Sequence, residues 1–315
     1  MEFRTKINIP EYGFQLDYNQ KGLIIGSCFA ENIGKMMTSL KFPVTVNPFG
    51  VVYNPLSVVN TFKILDSKKE FTEKDINENN GIWFSFNHHG SFSSPEKDIL
   101  LERINNSLTC GKKALEESDY LIITLGTSWV YKLAATGIVV NNCHKLPAKY
   151  FVRDRLPVDV IIDSFSKLFS NSKYASKKII VTVSPVRHIK DGIPANSLSK
   201  STLVVAANYL TEKFPNVHYF PSYEIVMDDL RDYRFYAADM LHPSEVAIDY
   251  IWENFRASLI SEDAVVLSGK IEKLMRALSH RPLYPESVQY KRFTEKINSD
   301  IRELQSEYPF VDFNK

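Results

Sequence analysis

The sequence contains little cysteine and no long apolar run, and both features narrow the class of protein. Its three cysteines, Cys28, Cys110 and Cys143, are spaced for neither a disulfide framework nor a CxxC metal site. Cysteine used so sparingly is typical of a reducing compartment. No apolar run approaches the roughly 18 residues that span a bilayer, and the N-terminal segment has no secretion-signal core. We therefore expect a cytoplasmic protein without a membrane span.

The chain also lacks an excess of charge of either sign. Its 38 lysines and arginines balance 37 aspartates and glutamates, which leaves a net charge of +1. Such a balance gives no bulk attraction to DNA, RNA or anionic lipid, so we expect no nucleic-acid partner. No Gly-rich phosphate loop and no HxxxH or HExxH spacing occurs. We expect neither a nucleotide cofactor nor a metal, since a zinc site would require distant histidines such as His144, His188 and His242 to converge.

What the sequence does contain is a series of short β-branched runs, each followed by a turn and a helical pattern. Continuous apolar runs of this kind are typical of strands buried on both faces of a parallel sheet. The alternation predicts an α/β fold, a three-layer αβα sandwich with a parallel sheet. The predicted strands are residues 22–25, 120–125, 178–183 and 218–221.

Two polar segments interrupt this alternation, and the end of the chain departs from it. We interpret residues 66–95 and 132–160 as insertions, the first a loop or hairpin and the second an irregular excursion. Beyond residue 260 the composition becomes helical and charged, with apolar stripes over 271–278 and 293–304. We predict a main domain over 1–260 and a helical C-terminal extension over 261–315. The stripes predict that the extension packs on the main domain or on a second subunit, as a homodimer.

The turn Gly26-Ser27-Cys28 ends the first predicted strand and begins a helix. Reactive groups collect beyond the carboxyl ends of parallel strands, and a helix N-terminus stabilises developing negative charge. Ser27 is therefore a candidate nucleophile, although serine is also a common N-cap. Cys28 is its rival, because the same helix terminus can depress a thiol pKa. Neighbouring side chains point about 100° apart on a helix, so only one faces a base; we favour Ser27 and expect Cys28 to be buried.

A candidate base lies much later in the chain, just before a strongly amphipathic helical pattern. Asp239 and His242 are three residues apart there, so one tight turn supplies both groups. Histidine has a suitable pKa to deprotonate a hydroxyl, and a carboxylate fixes its tautomer and stabilises the imidazolium. Together with Ser27 they form a predicted Ser-His-Asp triad. The alternative is a surface loop in which the Asp and the His are incidental.

Residues 26–34, GSCFAENIG, resemble the signature of the GSCFA family, which is similar to the SGNH (GDSL-like) hydrolases. The resemblance covers residues 20–260 and implies a flavodoxin-like sandwich of the SGNH-hydrolase type. It puts Ser27 in the place of the nucleophilic serine, and Asp239 and His242 in the place of the late Asp-x-x-His pair. It further implies an oxyanion hole built from the N–H of the nucleophile, a glycine after the second strand and an asparagine after the third.

The resemblance assigns the oxyanion donors with one departure. The first donor is the N–H of Ser27 or Cys28, and the second is Gly50. After the third strand Gly126 is present, but Ser128 stands where the family pattern has asparagine. A serine hydroxyl can donate the same bond. Thr127 and Asn142 are the other candidates for the third donor.

Further polar residues at the same predicted sheet edge extend the candidate pocket. Arg187 has a planar guanidinium that suits a substrate carboxylate or phosphate. The alternative is that these side chains satisfy nearby carbonyls. The predicted substrate-binding residues are Asn47, Thr127, Asn142, His144, Arg187 and His188.

These observations predict a serine esterase or an acyl (acetyl) transferase. His242, held by Asp239, would deprotonate Ser27, which would attack an ester carbonyl. The resemblance favours a small-molecule or carbohydrate ester, such as an O-acylated sugar. The departure at Ser128 motivates the alternative, a catalytically inactive glycan- or lipid-binding module on the same fold.

Overall fold

The computed structural model describes residues 4–280 and 282–313 and confirms the α/β class. The strands are β1 (Gly22–Gly26), β2 (Val44–Val46), β3 (Asn77–Asn79), β4 (Ile82–Phe84), β5 (Tyr120–Leu125), β6 (Trp129–Leu133), β7 (Val139–Val140), β8 (Phe151–Arg155), β9 (Lys178–Val183) and β10 (Val217–Tyr219). The α-helices are α1 (Cys28–Ser39), α2 (Pro55–Leu65), α3 (Lys97–Glu117), α4 (Val158–Phe169), α5 (Ser172–Ala175), α6 (Ile193–Lys213), α7 (Ser222–Glu224), α8 (Glu245–Leu259), α9 (Glu262–Leu278) and α10 (Val288–Glu307).

Five of the strands form the central sheet, in the order β2-β1-β5-β9-β10, and every neighbouring pair is parallel. This is the flavodoxin-like order, in which the second strand lies outside the first. All four strands predicted from apolar runs are present. β2 was not predicted, because this strand has only three residues, all half-buried, and so forms no apolar run.

The two faces of the sheet carry separate hydrophobic cores, as the alternation of side chains along a strand requires. In β1, Leu23 and Ile25 pack with helices α2, α3, α4 and α6, whereas Ile24 packs with α1, α8 and α9. All five residues of β1 are buried. Helices on both faces of one sheet make the predicted three-layer αβα sandwich.

The two segments interpreted as insertions are more ordered than their composition suggested. In residues 66–95, β3 and β4 pair as an antiparallel hairpin, in agreement with the prediction. Residues 132–160 are not an irregular excursion, because β6 pairs with both β7 and β8 in a three-stranded antiparallel sheet. Its strands are short or only half-buried and mixed in character, so none of them forms a continuous apolar run that predicts a strand.

The C-terminal region is helical, as predicted, and packs on the main sandwich. Ile271 of α9 and Leu304 of α10 are buried in the same core as α1 and α8. Leu278 and Phe293 of the predicted stripes are instead exposed by 46% and 39%. The boundary at residue 260 and the homodimer both stay predictions.

The turn after β1 depends on a glycine and on a neighbouring strand. Gly26 has φ +153°, and a Cβ there would lie 2.2 Å from the carbonyl oxygen of Thr124. Gly26 is also paired with Thr124 in the β1–β5 register. Its N–H donates to Asn47 Oδ1 at 2.8 Å. Only glycine lets β1 approach β5 this closely, and the approach fixes where α1 begins.

Candidate active site

A cavity of about 740 Å³ lies beyond the carboxyl ends of the central strands. Its walls come from the start of α1, the loops after β5 and β9, the three-stranded sheet and the loop before α8. Among the residues predicted from the sequence, those that line it are Cys28, Thr127, Asn142, Arg187, His188 and His242. The fold therefore brings residues from both ends of the chain to one place, as ligand sites in open α/β sheets require.

Ser27 and Cys28 point in different directions, and Cys28 is the one that faces the cavity. Ser27 is fully buried, and its hydroxyl lies 3.2 Å from Thr124 Oγ1. The Ser27 N–H donates to the same hydroxyl at 2.9 Å, and the side chain forms no capping bond to α1. Cys28 is half-buried and lines the cavity. This differs from the sequence-based expectation, in which Ser27 was open and Cys28 was buried.

The surroundings of Cys28 act on its thiol in opposite directions. Burial raises the pKa of the thiol, and Glu31 adds to this effect. The N–H groups of Cys28 and Phe29, at the N-terminus of α1, and the ammonium group of Lys200 lower the pKa. Because burial dominates, the thiol holds its proton at neutral pH and needs a base to become a nucleophile.

Asp239 and His242, the predicted base and its carboxylate, form a close pair. His242 Nδ1 lies 2.6 Å from Asp239 Oδ2. Asp239 Oδ1 accepts from the N–H groups of Leu241 and His242, at 2.9 and 3.0 Å. These two backbone bonds, together with the imidazole, lower the pKa of Asp239 to about 2. An ionised Asp239 leaves the other ring nitrogen, Nε2, as the acceptor for a proton.

The loop that holds this pair is anchored on both sides. The N–H of Ala237 donates to His242 O at 2.8 Å, and the N–H of Arg187 donates to Leu241 O at 3.1 Å. The side chains of His242 and Asp239 are still exposed by 49% and 46%. The imidazole therefore stands at the rim of the cavity on a fixed loop.

His188 supplies a second imidazole deeper in the cavity. Its Nε2 is buried and has no hydrogen-bond partner among the described residues. A Cβ atom placed on Gly126 would lie 3.3 Å from this nitrogen and 3.2 Å from Ser27 Cβ. His188 Nε2 and the Ser27 side chain therefore both lie close to the same glycine. Burial lowers the pKa of His188 to about 3, with smaller contributions from Lys200 and His242. His188 is therefore a neutral group close to the β1–α1 turn.

Besides the Ser27 N–H, which donates to Thr124, three of the predicted oxyanion donors are occupied elsewhere. The Gly50 N–H donates to Asn47 O at 2.7 Å, and the Gly126 N–H donates to Tyr53 O at 2.8 Å. Ser128 is fully buried, and its N–H and hydroxyl both donate to Ser199 Oγ, at 2.8 and 3.1 Å. None of these three residues lines the cavity. The structure thus contradicts their assignment as free donors, because other acceptors inside the protein already use them.

Two of the predicted substrate-binding residues lie outside the cavity. Asn47 accepts the Gly26 N–H and so supports the turn from behind. His144 stacks on Phe84, with ring centroids 4.4 Å apart, and its Nε2 lies 2.9 Å from Ser85 O. The contact of His144 with a nearby carbonyl is the alternative that the sequence left open for this residue.

Lys200 is the main residue near the cavity that was not predicted from the sequence. This α6 side chain is 1% exposed, and its Nζ donates to Gly126 O and Ser184 O, both at 2.6 Å. It joins the carboxyl ends of β5 and β9 behind the cavity. A signal was present, because Lys200 falls on the apolar stripe of α6 with Leu203 and Ala207.

Lys200 gives a stability prediction, because burial lowers its pKa from 10.5 to about 7. Between these two values the unfolded chain binds a proton that the folded chain releases, so stability increases with pH there. The expected slope is up to about 1.4 kcal/mol per pH unit. Urea unfolding between pH 7 and pH 10 should show this slope in the wild type, and Lys200→Met should lose it. Parallel stability curves for the two proteins would contradict this assignment.

The strand order and the cavity define a class, the three-layer α/β proteins with a cavity beyond the carboxyl ends of a parallel sheet. Within that class the chain belongs to the GSCFA family, whose family model matches residues 21–255. A second family model, GSCFA domain protein, C-terminal domain, matches residues 271–315. A search of curated proteins found no match to the chain.

Within residues 4–280 and 282–313, no group of three or more His, Cys, Asp or Glu side chains is arranged to hold a metal ion. Within the same ranges, no helix combines the length and apolar character needed to cross a membrane.

Proposed function

We propose that the chain is an acyl hydrolase or acyltransferase with a cysteine nucleophile, Cys28. The observation that carries the proposal is that Cys28, at the N-terminus of α1, lines the same cavity as His242, which is paired with Asp239. A nucleophile, a base and a carboxylate that orients the base are the parts that covalent acyl transfer requires. This keeps the predicted reaction and the predicted base, and moves the nucleophile by one residue from Ser27.

In the proposed reaction His242 takes the proton of the Cys28 thiol, and the thiolate attacks an ester carbonyl. The carbonyl oxygen becomes an oxyanion, which the N–H groups of Cys28 and Phe29 at the start of α1 would stabilise. When the C–O bond breaks, His242 returns the proton to the leaving alcohol. Water or a second hydroxyl then attacks the thioester, giving the free acid or a new ester and restoring the thiol.

The cavity also suits the predicted substrate class, an O-acylated carbohydrate. Its lining includes Tyr53, whose ring face can pack on a sugar. A thiol nucleophile works only while it is reduced, and all three cysteines are free. We therefore keep a reducing compartment, the cytoplasm, as part of the proposal.

The test is to trap the covalent intermediate and locate it. The protein is mixed with p-nitrophenyl acetate and quenched in acid, and the acetyl group is mapped by peptide mass spectrometry. We expect acetyl on Cys28, removable by neutral hydroxylamine as a thioester is. Acetyl on Ser27 would instead restore the serine esterase. A burst of nitrophenol without acetyl at either residue would contradict both.

A second candidate function is the inactive glycan- or lipid-binding module. It is favoured by the occupied N–H groups of Gly50 and Gly126 and by the buried Ser128, which leave fewer donors for an oxyanion. Folded protein that binds a glycan or lipid, yet shows neither burst nor turnover across aryl esters of increasing chain length, would support this candidate over the enzyme.

A further inference from the structure

The lining of the cavity carries an excess of positive charge, whereas the chain as a whole is nearly neutral. Four of its lining residues are cationic, Lys145, Arg153, Arg187 and Lys190, and no described lining residue is an aspartate or glutamate. The net charge of the chain is only +1. The lining is therefore locally positive, whereas charges of both signs balance over the chain as a whole.

These cations differ in how they are neutralised. Arg153 forms an ion pair with Asp191, in which its Nε lies 3.0 Å from Oδ1 and 3.1 Å from Oδ2. Among the described residues no carboxylate lies within 4.0 Å of Lys145, Arg187 or Lys190. Three of the four charges are thus available to a ligand.

Aromatic rings hold two of the unneutralised cations in place. The Arg187 guanidinium carbon lies 4.2 Å from the ring centroid of Tyr236 and 5.2 Å from that of Tyr233. Lys190 Nζ donates to the Tyr131 hydroxyl at 2.5 Å and stands 5.0 Å from its ring centroid. A ring face orients a cation while leaving its N–H groups free for an anion.

A further unsatisfied donor lies in the same wall. Trp129 lines the cavity, and its buried indole Nε1 has no hydrogen-bond partner among the described residues. An indole N–H can only donate, so it requires an acceptor. Buried donors normally have partners, and a bound oxyanion is a suitable one.

We propose that the cavity binds an oxyanion of the substrate, a carboxylate or phosphoryl group, through Arg187 and Lys190. That the bound anion belongs to a substrate rests on the proposed function, whereas the anion site itself does not. The planar guanidinium matches a carboxylate or phosphate in a two-bond geometry, and the ammonium adds a second charge. The enzyme would then prefer acidic esters over neutral esters of the same size.

Two alkylating reagents of nearly equal size test the anion site without any ester. Iodoacetate is anionic and iodoacetamide is neutral. A thiolate displaces iodide from either reagent and becomes carboxymethylated or carbamoylmethylated, respectively. The ratio of their rates at Cys28 is measured by peptide mass spectrometry at low ionic strength, in folded and in urea-unfolded protein. We expect the folded ratio, iodoacetate over iodoacetamide, to exceed the unfolded ratio by about tenfold.

The variants Arg187→Met and Lys190→Met should each lower this ratio several-fold, and Arg302→Met should leave it unchanged. Arg302 is an exposed cation on α10 and serves as the matched control. If Cys28 resists both reagents, the same comparison is made at Cys143, which lines the same cavity. A folded ratio no higher than the unfolded ratio at either cysteine overturns the proposal.

A second arm separates the two oxyanions and the two proposals. Inorganic phosphate and acetate are compared for their ability to protect Cys28 from iodoacetamide, and the better protector identifies the group. Anion selectivity that depends on Arg187, in a protein that turns over no ester, would keep the anion site and remove the acyl-transfer function. Ester turnover without anion selectivity would keep the acyl-transfer function and remove the anion site.

Discussion

Replacing Cys28 by alanine is expected to abolish ester turnover, whereas replacing Ser27 by alanine is expected to preserve most of it. Removing a covalent nucleophile typically lowers kcat by at least about 10³-fold. Ser27→Ala removes instead a buried hydroxyl, whose Oγ lies 3.2 Å from Thr124 Oγ1. Such a loss costs about 1 kcal/mol of stability and should change kcat by less than about fivefold.

The measurement is the hydrolysis of p-nitrophenyl acetate, with thermal unfolding recorded for every variant. Cys110→Ala is the matched control, because Cys110 is an exposed thiol on α3. Cys28→Ala should melt close to the wild type, since its side chain is only half-buried. The opposite pattern, with Ser27→Ala inactive and Cys28→Ala active, would return the nucleophile to Ser27.

Loss of the base is the second large effect. His242→Ala should lower kcat by about 10²–10⁴-fold, the usual contribution of a positioned general base. Asp239→Asn should also cost about 10²-fold or more, because an amide neither fixes the tautomer nor stabilises the imidazolium. Both effects are expected because His242 Nδ1 and Asp239 Oδ2 lie 2.6 Å apart. The readout is kcat for p-nitrophenyl acetate between pH 6 and pH 9.

His188→Gln is the matched comparison, since His188 is the other imidazole that lines the cavity. Burial lowers its pKa to about 3, so it is a weak base at neutral pH. We expect this variant to retain kcat within about tenfold. If His188→Gln is inactive while His242→Ala turns over ester at the wild-type rate, then His188 is the base.

Much of the fold was predictable, because strands buried on both faces have a local signature. Tyr120–Leu125 and Lys178–Val183 were located to the residue, since their apolar runs are continuous. β2 was missed, and the three-stranded sheet appeared as a loop, because their residues are half-buried and mixed in character. Such strands are decided by the backbone pairing they make, and side chains that are only half-buried give no apolar run to indicate it.

The site was predictable in its location but only partly in its members. The Asp239–His242 pair was found because both groups lie on one turn, where spacing alone brings them together. Gly50 and Ser128 were assigned from position, but their N–H groups donate to Asn47 and Ser199. Which donor is free depends on acceptors that arrive from other elements.

The sequence by itself determined the parallel α/β sandwich and the turn that begins α1, because burial and glycine geometry are local properties. The tertiary structure decided which of two adjacent side chains meets the cavity. The β1–β5 register places Thr124 beside Gly26. The Thr124 hydroxyl then accepts the Ser27 N–H and lies within hydrogen-bond distance of the Ser27 hydroxyl. Cys28, the next residue and the first of α1, therefore lines the cavity that His242 also lines.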